Sequence, residues 1–125
     1  MAKLDQIIEQ LLNIDGAFAA AVSDYESGMS LAAESNRASF NAETAGALNG
    51  EVVKSKLAAT KALGISQGIE DILITLGDQY HLIRLVPNTS LFVYLALDRA
   101  KANLAMARHN LKSLEAELIA ELGGN

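Results

Sequence analysis

The 125-residue chain is 50% hydrophobic and 20% charged, which predicts one folded domain over residues 1–125 and excludes intrinsic disorder. Ten basic against fifteen acidic residues give a net charge of −5, which argues against nucleic acid and against an anionic membrane as partners. The absence of cysteine excludes disulfides and thiolate chemistry and suits a reducing cytoplasm. No apolar run approaches the roughly 20 residues of a membrane span, and the N-terminus lacks the apolar core of a signal peptide, so we expect a cytoplasmic protein.

The first 35 residues predict a helix followed by a β-hairpin. One apolar stripe at helical spacing marks the helix and comprises Leu4, Ile7, Ile8, Leu11 and Leu12. The short apolar segment 17–23 predicts a buried strand. A turn at residues 24–28 then leads into a returning strand over 29–34.

A long helix is predicted over residues 41–63, with Asn41 as its N-cap and Gly64 at its C-terminal cap. Strands follow over residues 69–76, 79–86 and 91–97. Gly77-Asp78 predicts a two-residue turn of the type that begins with glycine. The continuous apolar run 91–97 is typical of a strand at the centre of a sheet.

The last segment predicts a helix that Asp98 caps. Its apolar seam repeats at heptad-like spacing and comprises Leu104, Ala107, Leu111, Leu114 and Leu118. The element order is therefore α-β-β-α-β-β-β-α, which fits either a three-layer α/β/α or a two-layer α+β domain.

No combination of residues predicts catalysis. The G-x-S-x-G match around Ser66 has a helix before it and a strand after it, the reverse of a nucleophile elbow, so a helix cap and loop is favoured. We expect His81 to be half-buried or edge-exposed in a strand and His109 to be solvent-exposed, and neither has a second histidine three or four residues on. The sequence also has no phosphate-binding loop. We therefore expect no enzymatic activity, no metal and no cofactor.

The helix over 41–63 carries two apolar ridges, one with Leu48, Val52 and Ala59 and the other with Gly46, Val53 and Leu57. Three polar residues lie between or beside the ridges: Asn49, Lys56 and Thr60. Two ridges predict two contacts, one with the helix's own sheet and one with a second body. A broad core face with a snorkelling Lys56 is the alternative. The spacing Gly46-x-x-x-Gly50 indicates either a weakened helix or the close approach of another helix.

The strand over 69–76 alternates apolar residues, and if it is an edge strand it invites pairing with a symmetric copy. We therefore predict a dimer interface made by this strand and the long helix, comprising Val53, Leu57, Thr60, Ile72, Ile74 and Leu76. The polar seam of the helix predicts a partner-binding surface at Asn49, Val53 and Lys56.

Three segments resemble the roadblock / dynein light chain family: EDILITLGDQYHLIRLV, LFVYLALDRAKANLAMARHNL and GAFAAAVSDYESGMSLAAES. In the last segment, Asp24 and Gly28 would bracket the turn of the family's first hairpin. The resemblance is to bacterial members that include regulators of gliding-motility GTPases. It implies a profilin-like fold with a five-stranded antiparallel sheet between helices, and a dimer that pairs third strands and packs second helices side by side.

For function, the resemblance implies a non-catalytic homodimer, or a pair with a paralogue, that regulates or holds a small Ras-like GTPase. Activation of GTP hydrolysis is one form that regulation could take. No motif carries the GTPase contact over residue by residue. A structural adaptor in a motor or multiprotein complex without a GTPase is the alternative. A small-molecule sensor in a profilin-like pocket is disfavoured by the aromatic content of 5%.

Overall fold

The computed structural model describes residues 2–123 and contains the predicted order of elements. The helices are α1 (Ala2–Leu12), α2 (Ala42–Ala62) and α3 (Leu104–Gly123). The strands are β1 (Ala17–Asp24), β2 (Ser30–Ser35), β3 (Asp71–Thr75), β4 (Gln79–Leu85) and β5 (Leu91–Asp98). The helix–strand pattern read from the sequence is thereby confirmed.

The strands form one sheet in the order β2-β1-β5-β4-β3, and every neighbouring pair is antiparallel. Strand β5 lies at the centre, and its residues 92–97 are all buried, as its continuous apolar run predicts. Strands β2 and β3 are the two edges. The third strand is thus an edge strand, which is the condition under which the sequence predicts pairing with a second copy.

The sheet separates two apolar clusters, so the fold has three layers. Helices α1 and α3 cover one face, where the predicted apolar stripe of α1 and the α3 seam residues Ala107, Leu111 and Leu118 are buried with β-strand residues such as Leu95. Helix α2 covers the other face together with residues such as Phe92. Each face buries aliphatic side chains against the central strand, which is the main stabilising term for such a domain.

The first hairpin turns as the resemblance implies. The Asp24 side chain accepts hydrogen bonds from the N–H groups of Glu26 (2.8 Å) and Ser27 (3.2 Å), and the Asp24 carbonyl accepts one from Gly28 (2.9 Å). Those contacts favour the carboxylate over the acid, and the pKa of Asp24 lies below its ordinary value although burial opposes the shift. Gly28 has φ +78°, a conformation that suits glycine.

The bounds of β3 and the conformation of the β3–β4 turn differ from the predictions. Strand β3 spans five residues and omits Ile69, Glu70 and Leu76, which lie in the flanking connections. The β3–β4 turn has the predicted length, since Leu76 donates to the Gln79 carbonyl, but Gly77 lacks the positive φ of a turn that begins with glycine.

The final helix starts later than predicted, and Asp98 does not cap it. The Asp98 side chain accepts from the N–H of Ala100 at 2.9 Å and closes a turn after β5. Asn103 is the cap, because its side chain accepts from the N–H of Met106 at 3.0 Å. Both residues are good N-caps by type, so composition alone could not choose between them.

No helix within residues 2–123 is both long and apolar enough to cross a membrane.

Candidate partner-binding surface

Helix α2 has fixed ends. The Asn41 side chain accepts the N–H of Thr44 at 2.9 Å, and this pair caps the N-terminus. At the other end Gly64 has φ +71° and donates its N–H to the Lys61 carbonyl at 3.1 Å. Capping at both ends fixes which side chains face the sheet.

Gly46 brings α2 against strand β1, whereas Gly50 lies beside Tyr25 and Phe92 at ordinary contact distances. A β-carbon on Gly46 would lie 2.7 Å from Ser23 Oγ and 3.0 Å from Ala21 Cβ, so no larger residue fits without movement. A β-carbon on Gly50 would lie 3.7 Å from the Phe92 ring. The close approach considered for this glycine pair is therefore real, but its partner is a strand rather than another helix.

The ridge that follows these glycines is the buried one. Val53 is 0% exposed and packs with Ile83, Phe92 and Tyr94, and Leu57 is partly buried against the same cluster. A side chain with no exposed surface cannot touch a partner while α2 stays packed. Val53 therefore has to be removed from both the predicted dimer interface and the predicted partner-binding surface.

The second ridge of α2 faces solvent. Leu48 is 65% exposed and Val52 is 38% exposed, while Ala59 is partly buried and Lys56 is exposed. We call Leu48, Val52 and Ala59 the exposed ridge. The sequence analysis recognised these apolar residues but did not predict them as site residues. The glycine pair was the signal that could have assigned the ridge with Val53 and Leu57 to the core.

The polar residues beside the exposed ridge bond to their own helix. Asn49 donates its side-chain N–H to the Ala45 carbonyl at 2.7 Å, and Thr60 donates its hydroxyl to the Leu57 carbonyl at 2.8 Å. Both side chains are partly buried and already hydrogen-bonded. Their hydrogen-bonding groups need no partner protein. In an interface these two side chains would contribute through their shape and by fixing the register of the contact.

The exposed ridge faces away from the first hairpin. Glu43, Thr44 and Ala47, on the opposite flank of α2, line a groove with Gly28 and Met29 of that hairpin. The helix lies closest to β1 and β2. The exposed ridge therefore lies on the side of α2 that faces away from the sheet.

Strand β3 is apolar on the α2 side of the sheet. Ile72 and Ile74 belong to the α2-side cluster but remain partly exposed, and Leu76 is 40% exposed. The predicted interface residues Ile72, Ile74 and Leu76 thus lie along one sheet edge, whereas Leu57 and Thr60 lie on α2. An apolar edge of this kind is an aggregation hazard unless something covers it.

Two arginines hold the start of β3 and the residue that follows its last one. Arg108 of α3 makes a bidentate pair with the Asp71 carboxylate, with N–O distances of 3.0 and 3.1 Å. Arg99 donates to the Leu76 carbonyl at 2.8 Å. The partners are 37 and 23 residues apart in the chain, so no local pattern predicted either contact.

An aromatic cluster lies on the α2 side beside β4. The His81 ring contacts the rings of Phe40 and Tyr94 edge-on, at centroid distances of 6.1 and 5.3 Å. Burial lowers the pKa of His81 and raises the pKa of Tyr94, since the charged form of each is poorly solvated. The half-buried state predicted for His81 is confirmed.

Two polar residues that were considered for chemistry in the sequence lie on the surface. Ser66 lies exposed in the loop between α2 and β3, as the helix-cap interpretation predicts, and His109 is exposed on α3. No three His, Asp or Glu side chains within residues 2–123 converge to hold a metal ion. A groove of about 600 Å³ at one end of the sheet has an apolar floor that includes Leu57, Leu85 and Pro87.

Comparisons with known proteins show what this fold is. No protein-family model matches the sequence, and no curated protein matches it. Solved structures do match the chain. A Roadblock/LC7 domain of Streptomyces avermitilis superposes with a TM-score of 0.82 at 12% sequence identity, and the match covers 94% of this chain and 96% of that domain. The chain therefore has the Roadblock/LC7 fold, as the resemblance implied.

The particular structures most similar to this chain include bacterial MglB proteins. MglB of Myxococcus xanthus superposes with a TM-score of 0.86 at 13% identity, covering 98% of this chain and 90% of that one. The gliding protein MglB of Thermus thermophilus superposes with a TM-score of 0.75 at 17% identity, covering 91% and 84%. The chain is thus similar in fold to bacterial roadblock-type gliding proteins.

Proposed function

We propose that this protein is a non-catalytic homodimer that regulates or holds a small Ras-like GTPase. The observation that carries the proposal is the exposed ridge of α2, an apolar surface without cover in residues 2–123, on a fold shared with bacterial gliding proteins. Exposed apolar patches on soluble domains mark interaction sites.

The dimer supplies the first half of the proposal. Its contacts are the β3 edge with Ile72, Ile74 and Leu76, extended by Leu57 and Thr60 of α2. Pairing two copies at β3 would cover an apolar edge and continue the sheet across the twofold axis. The partly exposed state of Ile72 and Ile74 supports this assignment.

The GTPase contact is the second half. It comprises Leu48, Val52 and Lys56 on the solvent side of α2, with Asn49 held in place by its bond to the Ala45 carbonyl. A large apolar residue beside a flexible cation suits a mixed apolar and acidic surface on the partner. Binding would shift the GTPase between its states only through a difference in affinity for them.

Affinity capture from a lysate of the source cell tests the proposal when run once with GDP and once with a non-hydrolysable GTP analogue. We expect a Ras-like GTPase to be retained preferentially in one nucleotide state. The same set of partners in both states, without a GTPase among them, would contradict the regulator and support the structural adaptor instead.

Surface variants then locate the contact. Val52→Asp and Lys56→Glu should weaken capture of the GTPase at least tenfold, about 1.4 kcal/mol, because they place negative charge on the proposed contact. Ala58→Asp is the matched control, since Ala58 is exposed on the same helix but off the exposed ridge. Equal capture by all four proteins, with the same thermal stability, would rule out this surface.

A further inference from the structure

Helix α2 is anchored unevenly along its length. The residues of α2 that are fully buried are Ala42, Gly46, Gly50 and Val53. Beyond Val53 the helix is covered only in part, at Leu57 and at two smaller residues that follow it. Leu63, just after the helix, is 72% exposed. The first half of α2 is therefore held on the sheet more firmly than the second half.

An open groove lies beside the second half of α2. It has a volume of about 600 Å³, and Leu57 lines it together with residues 67–70 and 84–89. Leu57 therefore contacts open space on one side instead of packed neighbours, and a side chain without partners on one side loses the contacts that would hold it. The groove gives the second half of the helix room to move.

The two glycines of α2 differ in whether space requires them. A β-carbon on Gly46 would lie 2.7 Å from Ser23 Oγ, so only glycine fits there without movement. A β-carbon on Gly50 would lie 3.6 Å from Tyr25 Cα and 3.7 Å from the Phe92 ring, which are ordinary contact distances, and Gly50 has no positive φ. Alanine would fit at this position and would favour the helix. Glycine at position 50 instead makes the middle of α2 easier to bend.

A buried hydroxyl destabilises the packed position of the helix. Tyr94 is 0% exposed, and its hydroxyl has no hydrogen-bond partner within residues 2–123. Tyr94 belongs to the same apolar cluster as Val53, the last fully buried residue of α2. Because an unpartnered buried hydroxyl destabilises the arrangement that encloses it, loosening this cluster costs less than loosening a purely hydrocarbon core would.

We infer that α2 bends at Gly50 and that its second half, residues 51–62, exchanges between the packed position and a displaced one. The first half, residues 42–49, stays on β1, because Gly46 packs against Ser23 and Asn41 caps the helix. The displaced position uses the groove beside Leu57 and loosens the cluster around the Tyr94 hydroxyl.

The bend divides the exposed ridge. Leu48 lies before Gly50, whereas Val52 and Ala59 lie after it, as does Lys56. Exchange therefore changes how Leu48 is placed relative to the rest of this surface. A partner that contacts both parts selects one position through its difference in affinity for the two. This use of the bend rests on the proposed function, whereas the bend itself rests on the fold alone.

Relaxation dispersion of the backbone amides tests the bend, since it detects exchange on the microsecond to millisecond timescale. We expect exchange at residues 51–62 and none at residues 42–49, with the same rate at two widely separated protein concentrations. Exchange in both halves or in neither would overturn the bend, and so would a rate that depends on concentration, because that rate reports self-association. No GTPase is present, so failure of the bend and failure of the proposed function are distinguishable.

Gly50→Ala tests where the helix bends. It should lower the population of the displaced position about fivefold, the factor that corresponds to the helix propensities of glycine and alanine. Gly77→Ala is the matched control, because a β-carbon there meets no neighbour within 4 Å and the residue lies outside α2. An unchanged population in Gly50→Ala, or an equal decrease in both variants, would overturn Gly50 as the point of bending.

Two hydroxyl deletions separate the halves of the helix. Tyr94→Phe should raise the melting temperature by a few degrees and lower the population of the displaced position, because it removes the unpartnered group from the packed cluster. Ser23→Ala removes the other unpartnered hydroxyl, which lies under Gly46, and should raise the melting temperature without changing the exchange at residues 51–62. A lower melting temperature in Tyr94→Phe, or loss of exchange in Ser23→Ala, would contradict a bend with a fixed first half.

Discussion

The two edges of the sheet differ in almost every property that governs strand pairing. Strand β2 carries the exposed acid Glu34 and a bulge at Leu31, the extra residue between the pairs Ser23–Ser30 and Val22–Ala32. Bulges and charges discourage edge pairing. Strand β3 is a short, regular, apolar segment, and arginines hold its start and the residue that follows its last one.

The difference indicates that only one edge is protected against pairing. The position of helix α2 adds to this difference between the edges, because α2 lies closest to β1 and β2. Ile72 and Ile74 of β3 remain partly exposed. A protected edge and an open one on the same sheet favour a closed twofold dimer over an open chain of molecules.

The contact that keeps α2 over the protected side should be the most sensitive to substitution. Gly46→Val forces branched carbons against Ser23 and Ala21, and overpacking of this kind costs about 2 kcal/mol. Chemical denaturation should show that loss in the free energy of unfolding. Gly68→Val is the control, because a side chain there meets no neighbour within 4 Å, and an equal loss at both positions would contradict the close packing of α2 on β1.

Proline on each edge compares the edges directly. Thr75→Pro removes an outward N–H of β3 and should raise the dimer dissociation constant about tenfold, a change of roughly 1.4 kcal/mol. Leu31→Pro, at the bulge of β2, should leave the dissociation constant unchanged. Analytical ultracentrifugation measures both constants, and a dimer weakened by Leu31→Pro but not by Thr75→Pro would reverse the assignment of the edges.

Substitution of Arg108, which contacts the start of β3, should weaken the dimer less than Thr75→Pro does. Arg108→Gln removes the bidentate pair with Asp71, a largely exposed contact worth about 0.5–1 kcal/mol. We expect the dimer dissociation constant to rise about threefold. Arg108→Lys should restore only part of the loss, because an ammonium group cannot form the two parallel bonds, and full rescue by lysine would show that charge alone matters.

Protonation of His81 should produce the smallest change. Its pKa is lowered by burial, so the unfolded chain binds this proton more readily than the folded chain does. The stabilising contribution is complete above the ordinary histidine pKa of about 6.5 and is lost as the pH falls through the lowered value. Thermal unfolding of the unsubstituted protein should show a loss of stability between pH 7.5 and pH 5, and this loss should be smaller in His81→Phe. Identical pH profiles for the two proteins would exclude His81 as the source of the loss.

Periodicity predicted the elements and their order, because each depends on local apolar patterns. It could not decide which ridge of α2 faces the sheet, since Val52 and Val53 lie on ridges of similar apolar content. The decision comes from the space that Gly46 leaves beside Ser23, which is a tertiary fact. The role of Arg108 could not be predicted for the same reason, because its contact with Asp71 joins residues far apart in the chain.

Residue-resolved amide hydrogen exchange in the unsubstituted protein shows directly whether β3 pairs, since Leu73 and Ala33 present outward N–H groups on opposite edges of the sheet. We expect slow exchange at Leu73 and Thr75 that accelerates when the sample is diluted below the dimer dissociation constant, and fast exchange at Ala33 at every concentration. Fast exchange at Leu73 in the concentrated sample, or protection at Ala33 in its place, would contradict pairing at the β3 edge.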